Sequence, residues 1–376
     1  MTVQPEEKRE KEERKRERIP VAILGATGSV GQRFVQMLEH HPWFRVHEVI
    51  ASERSAGMSY CDAAGWLLDT PLPRETADMK VRRLGEETES RLLFSGLDSS
   101  VAGEAEEEYA SRGCAVVSNA RNHRMAPDVP VLIPEINSGH LEAIEAQRKR
   151  RGGDGFIVTN PNCSTIGLAM ALAPMERQHG VETVHATTLQ AISGAGYSGV
   201  SSFQILDNVV PFIPGEEDKI ENEPCKIFGS WSDGAFQPRK MTISAQTNRV
   251  PVIDGHLICI SFRFVRSEDL RRHFPIETLI EDAKHAIRSF SGEPQRLGLP
   301  SAPAAPIRLV EEEGRPQPRL DRDAERGMAV SIGRLRPCPI LDIRMVGLVH
   351  NTIRGAAGAA ILNAELLEAL DLLPDH

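Results

Sequence analysis

No uninterrupted apolar run in these 376 residues approaches the roughly 20 needed to cross a bilayer, so a membrane span is not expected. Excess positive charge is missing too. The formal net charge of -9 argues against a broad nucleic-acid surface, although it leaves room for a local basic pocket. Cysteine is scarce, and none of Cys61, Cys114, Cys163, Cys225, Cys259 and Cys338 forms a CxxC pair. That removes the usual signature of a zinc site or a redox dithiol, and no metal is expected. Thiols scattered through so long a chain fit a reducing, cytoplasmic compartment. Cys114 and Cys259 lie in apolar, strand-like runs and read as packing residues.

What is present is a balanced composition, 40% hydrophobic and 26% charged, in a chain long enough for two cores. Residues 1–18 carry dense charge of both signs and no apolar segment of a secretory signal, so they read as a solvated tail. After them, short apolar strands at 21–24, 47–51, 92–94 and 115–117 alternate with helical patterns. The first helix presents Val30, Phe34, Met37 and Leu38 on one face. Such alternation implies a parallel, doubly wound sheet, an α/β fold. From residue 156 the strands lengthen: 181–190, 257–265, 328–333 and 340–349. Residues 292–326, crowded with proline, glycine and charge, read as loop. A helix begins at Arg354.

Between the first strand and the first helix stands GATGSVG, comprising Gly25, Thr27, Gly28, Ser29, Val30 and Gly31 around one alanine. Glycines there let a pyrophosphate approach the backbone, and the helix N-terminus supplies free N–H groups. At the end of the second strand, Ser52, Arg54 and Ser55 suit a ribose 2′-phosphate and hence NADP. Glu53 is the group that would instead accept from the 2′-hydroxyl of NAD.

Cys163 follows Asn160, Pro161 and Asn162, residues that start helices. A cysteine at a helix N-terminus gains thiolate character and can attack an acyl carbon; it can equally be a buried residue beside a cap. The segment NRVPVIDGH brings Arg249 and His256 close together ahead of a strand, and an imidazole supplies the proton exchange such chemistry needs. His350 reads as structural.

The motifs GATGSVG, SNARNHRMAPDVPVLIPEIN, TNPNCST, LQAISGAG, GEEDKIENE, NRVPVIDGH and HNTIRGAAG occur in this order from about residue 19 onward. Together they resemble the aspartate-semialdehyde dehydrogenase family, nearer its archaeal and fungal branch. The resemblance implies a Rossmann-type dinucleotide-binding domain (19–155) and an α+β catalytic and dimerisation domain (156–349). Residues 350–376 would form a helix returning to the first domain. It implies NADPH-dependent reduction of L-aspartyl 4-phosphate to L-aspartate 4-semialdehyde with release of phosphate. Cys163 would be the nucleophile, His256 the acid/base, and Gln190 would orient the acyl group. Arg249 would hold the substrate carboxylate and Glu217 its ammonium, with Lys219, Arg124 and Asn119 around the phosphate. Ser193, Gly194 and Asn351 would approach the cofactor. Glu216, Asp218, Glu221 and Glu223 would be solvated surface carboxylates. A homodimer or homotetramer is implied, with no nucleic-acid or membrane partner. Alternatives are a malonyl-CoA reductase on the same scaffold, and a dinucleotide-binding scaffold without activity.

Overall fold

A computed structural model describes residues 17–375, so the charged tail lies outside the described residues except for Glu17 and Arg18. The chain then enters the apolar run Ile19–Leu24 (β1), whose residues 21–24 are sealed from solvent. Strand β1 lies between Phe44–Ala51 (β2) and Leu92–Ser95 (β4), with Arg82–Arg83 (β3) at one edge. Beyond β4 come Ala115–Ser118 (β5) and Phe156–Thr159 (β6). The order is β3-β2-β1-β4-β5-β6, every pair parallel. Helices Ser29–Leu38 (α1) and Ser99–Ser111 (α2) cover it. The strand order reverses between β1 and β4, and in such sheets the crevice beyond the strand ends at that point receives the ligand.

Strand β6 was expected to open the second domain; it is the sixth strand of the first sheet, paired with β5 from Ala115 to Ser118. The crossing is made by Cys163–His179 (α3). Every residue from 164 to 175 of that helix is buried, which a helix apolar all round requires. It packs on a second sheet built from Val181–Gln190 (β7), Thr242–Arg249 (β10), His256–Phe264 (β11), Ile307–Val310 (β12), Val330–Pro337 (β13) and Ile343–Val349 (β14). A small hairpin, Ser230–Ser232 (β8) and Ala235–Gln237 (β9), stands apart. The order is β10-β7-β11-β14-β13-β12, a mixed sheet. Helices Glu216–Ile227 (α4) and Ile276–Arg288 (α5) flank it.

The stretch 292–326 is not all loop. It contains β12, an edge strand that pairs in parallel with β13 alone. Cys259 is not a packing residue either. Alternation along β11 turns it to the exposed face of the sheet, while Cys114 is buried as expected.

Residues 353–357 form one wide helical turn before Gly358–Ala369 (α6), whose Ala360, Ile361 and Leu366 join the core of the first sheet. Arg354, in that wide turn, is wholly buried and donates from both Nη atoms to Glu135, at 2.9 and 2.7 Å. The neighbouring Gly355 lies against the nucleophile candidate: a Cβ there would stand 2.8 Å from Cys163 Cβ. Removing one member of such a pair strands a charge in the interior. Arg354→Met should therefore lower unfolding free energy by about 3–5 kcal/mol, while Arg354→Met with Glu135→Leu should recover much of it. Urea titration of the three proteins checks this; equal stability of single and double variants would contradict it.

Candidate active site

The site is assembled from the ends of β7, β10 and β11 and the start of α3. Asn162 caps α3, its Oδ1 accepting from the N–H groups of Ser164 (2.9 Å) and Thr165 (3.2 Å), so Cys163 is the first helical residue. His256, the first residue of β11, places Nε2 3.3 Å from Cys163 Sγ. On the other side of the ring, Nδ1 lies 3.1 Å from the backbone N–H of Ala191. A backbone N–H only donates, so Nδ1 must accept. The neutral imidazole then carries its proton on Nε2, aimed at the sulfur.

A helix terminus favours a thiolate at Cys163, and the surroundings of the sulfur act against it. Burial, and next the charge of Glu216, push the Cys163 thiol up to about 12; the cations Lys219, Arg124 and Arg249 act the other way and do not offset this. Burial likewise draws His256 down to about 3. Both shifts favour a neutral thiol and a neutral imidazole over an ion pair.

Arg249 ends β10 and donates from Nη1 to the carbonyl of Ala191 at 2.7 Å. It also lines a depression of about 520 Å³ with Phe203 and Phe212. Gly194 fits between Arg249 and His256, where a Cβ would come within 2.9 Å of Arg249 Nη1 and 3.2 Å of His256 Nε2. Gln190 is buried at the end of β7, its amide donating to Thr188 Oγ1 at 3.2 Å.

The carboxylate that faces this cluster is not Glu217. Glu217 Oε1 is taken by the Thr247 N–H of β10 at 3.0 Å. Glu216, one residue earlier and buried, accepts from Asn162 Nδ2 at 2.8 Å and from Lys219 Nζ at 2.9 Å. Burial alone would raise the Glu216 carboxyl, but the Lys219 charge and these hydrogen bonds outweigh it and hold it low. Glu223, two turns on, is also buried and not a surface residue. It binds Arg124 Nη1 at 2.8 Å and the Asn162 N–H at 2.7 Å. Asp218 is exposed, and Glu221 accepts from the Ala245 N–H. Asn119 hydrogen-bonds Ser95 and Asn160, and its carbonyl accepts from Arg124 Nη2 at 2.7 Å. Spacing hid the two buried acids: Glu216 and Glu223 are seven apart, two turns on one face of α4, and only the true helix start reveals which face turns inward.

The cradle at 25–31 fits a dinucleotide. Gly25 has φ 76°, and a Cβ there would lie 2.8 Å from the Gly96 carbonyl oxygen. At Gly31 a Cβ would lie 2.2 Å from the Gly25 oxygen. Gly28 caps α1 without a side-chain bond and no acid occupies the first turn, leaving N–H groups for an anion. Val30 packs beside Gly96, and the Thr27 carbonyl accepts from Gln32. Beyond β2, Ser52 and Arg54 are exposed and Ser55 is buried; Glu53 lies 3.9 Å from Arg83. Asn351 donates to Ser193 Oγ at 2.8 Å and accepts from the Gly255 N–H at 2.8 Å, which fixes the loop that passes near Ser29.

Two family models match, the semialdehyde dehydrogenase NAD binding domain over residues 20–144 and the semialdehyde dehydrogenase dimerisation domain over 172–354. A Methanothermobacter thermautotrophicus aspartate-semialdehyde dehydrogenase is 47% identical over 356 residues, 94% of this chain and 99% of the relative. The Candida albicans enzyme of the same name is 47% identical over 366 residues, covering 93% and 98%. The chain belongs to the aspartate-semialdehyde dehydrogenase family. Among solved family members, the Candida albicans aspartate-semialdehyde dehydrogenase crystallised with NADP superposes with a TM-score of 0.86 at 45% identity, covering 95% of this chain and all of that one (100%). A Vibrio cholerae family member, at 24% identity and TM-score 0.72 over 94% of this chain and 99% of its own, shares the fold.

Within this family site the protonation states are open to measurement. A thiol raised to about 12 ionises late, so its alkylation rate should climb about tenfold per pH unit through the accessible alkaline range. Iodoacetamide kinetics on the ligand-free protein between pH 6 and 10, read at the Cys163 peptide, check this. A plateau reached by pH 8 would mean a resting thiolate.

Proposed function

We propose that this chain reduces L-aspartyl 4-phosphate to L-aspartate 4-semialdehyde with NADPH, through a thioester on Cys163. The observation that carries the reading is the 3.3 Å approach of Cys163 Sγ to His256 Nε2, amid Arg249, Lys219, Arg124 and Glu216. A substrate with a carboxylate, an ammonium and a phosphate meets complementary charge there. The guanidinium fork of Arg249 suits the carboxylate, Glu216 the ammonium, and Arg124 with Lys219 the phosphate. Asn119 carries the Arg124 loop.

In the acylation step the S–C bond forms as the C–O bond to phosphate breaks. Nε2 is already protonated in the resting tautomer, so the thiol proton leaves on the departing hydrogen phosphate. Gln190 orients the acyl oxygen. Residues 25–31 would hold NADPH, with Ser52, Arg54 and Ser55 toward its 2′-phosphate, and the bound cofactor would supply hydride. Nε2–H of His256 then hydrogen-bonds the oxygen of the tetrahedral adduct, and as the C–S bond breaks the aldehyde leaves and the freed thiolate takes a proton from solvent to restore the thiol. Donors around that oxygen offset its charge. Ser193 and Asn351 keep the loop at the cofactor side in place.

The dinucleotide role of the first sheet and a dimerisation role of the second are supported by the two matched models, and a boundary after β6 is supported by its pairing with β5. Pairing with a second copy is supported by the dimerisation model and by the outward face of the second sheet, where His185, Ser244, Gln246, Cys259 and Arg344 are exposed. Sedimentation at micromolar protein that shows only monomer would remove that part.

The assay is NADP⁺ reduction by purified protein given L-aspartate 4-semialdehyde, with and without inorganic phosphate. Turnover should require phosphate, and Cys163→Ala should abolish it; activity within about tenfold of wild type, or about 1.4 kcal/mol, defeats the nucleophile assignment. Glu216→Gln should cost roughly 1.5–3 kcal/mol in kcat/KM, a charge-assisted hydrogen bond, and Glu217→Gln much less. NADP⁺ should be preferred to NAD⁺, and Arg54→Ala should erase most of that preference. Wild type that favours malonyl-CoA over the aspartyl substrate would overturn the substrate assignment.

A further inference from the structure

We infer that Glu223 is a positioning residue that ties the phosphate site to the nucleophile, an inference resting on the phosphate role proposed for Arg124. Three residues carry it, and all are nearly sealed from solvent: Glu223 is 3%, Arg124 6% and Asn162 6% exposed. Glu223 Oε1 accepts from Arg124 Nη1 at 2.8 Å, and Oε2 accepts from the Asn162 N–H at 2.7 Å. The second Nη of Arg124 is held by the Asn119 carbonyl. Arg124 Nε is buried and has no hydrogen-bond partner among the described residues. A buried guanidinium N–H left unsatisfied is costly, so an arriving anion gains a donor already desolvated and fixed in direction. Asn162, held from the other side by the same carboxylate, caps α3 through Ser164 and Thr165 and sets Cys163 at the first helical position. One carboxylate therefore fixes the spacing between the anion donor and the sulfur.

Glu216 repeats the arrangement one helical face-repeat earlier on α4, binding Lys219 and the Asn162 amide. The two acids hold the two candidate phosphate cations, and both grip the same asparagine. Glutamine at 223 would keep the volume but offer one acceptor and one NH₂ donor. Either Arg124 or the Asn162 N–H would then lose its partner.

The test compares Glu223→Gln, Glu223→Asp and, as a control on the same helix, Glu221→Gln, whose side chain accepts from the Ala245 N–H of β10. Glu223→Gln should raise the KM for inorganic phosphate by about tenfold or more, the size of a lost charge-assisted contact. The KM for the semialdehyde should stay within about twofold of wild type, since uniform damage would move both. Phosphate should protect Cys163 from iodoacetamide saturably in wild type and in Glu221→Gln, but not in Glu223→Gln. Glu223→Asp should restore part of the protection. If wild type itself shows no phosphate dependence, the proposed function fails and this inference with it. Saturable wild-type dependence with the same phosphate KM in Glu223→Gln overturns only the positioning role. Should Glu223→Gln fail to fold, hydrogen exchange on wild type decides. Saturating phosphate should slow exchange of the amides at residues 162–165, and unchanged exchange overturns the link.

Discussion

Asn162 is asked to satisfy three kinds of partner at once, and much of the molecule is arranged so that it can. Its Oδ1 closes the first turn of α3, its amide reaches Glu216, and its own N–H reaches Glu223. Capping alone would need only the first of these. The other two bind the start of α3 to α4, a helix that packs on both α3 and β10. The sulfur, the imidazole and the cations consequently share one rigid frame, which is what a reaction that needs near-contact geometry requires.

Asn162, Glu216, Glu223, Arg124 and His256 are buried and Cys163 is half-buried, and this enclosure bears on the charge states. A helix terminus favours a thiolate by roughly 0.3–1 kcal/mol at ordinary exposure. Desolvating a thiolate opposes this more strongly, and Glu216 adds to the opposition. Lys219, Arg124 and Arg249 are close enough to act on the thiol, but Lys219 and Arg124 are already engaged by Glu216 and Glu223. Their fields are partly spent on those carboxylates. The three cations therefore lower the thiol's pKa by less than burial and Glu216 raise it.

Much of this was legible from sequence, for identifiable reasons. Strands β6 and β7 fall where β-formers and breakers placed them, because both are bounded by turn residues. The cradle, Cys163, His256 and Arg249 are fixed by short motifs whose geometry is local. What was not legible depended on register or on three-dimensional enclosure. Glu217 and Glu216 differ by one position, and the choice turns on where α4 begins; Gly215, with φ 63°, sets that start. Strand β12 is four residues long with only its two ends buried, so neither alternation nor a continuous apolar run marked it. Cys259 looked like core because its neighbours Ile258 and Ile260 are core. Period-two alternation turns it the other way.

The tautomer of His256 follows from a single backbone group, and it constrains the order of proton movements more than any pKa does. The Ala191 N–H has no other role available to it than to donate, so Nδ1 stays an acceptor whenever the ring is neutral. An imidazole held this way presents a donor to sulfur and can take no proton from it at Nε2. The thiol proton must then leave with the group that departs. An incoming acyl phosphate brings its own base, its phosphoryl oxygens, into the pocket where Arg124 and Lys219 stand. In the proposed reaction the anion placed at those cations is the one that carries the proton away. After that, in the proposed reaction, His256 presents its Nε2–H to the acyl oxygen as a hydrogen-bond donor, still aimed by Ala191. The substrate's charge then disposes of the proton, and the protein's geometry supplies the hydrogen bond.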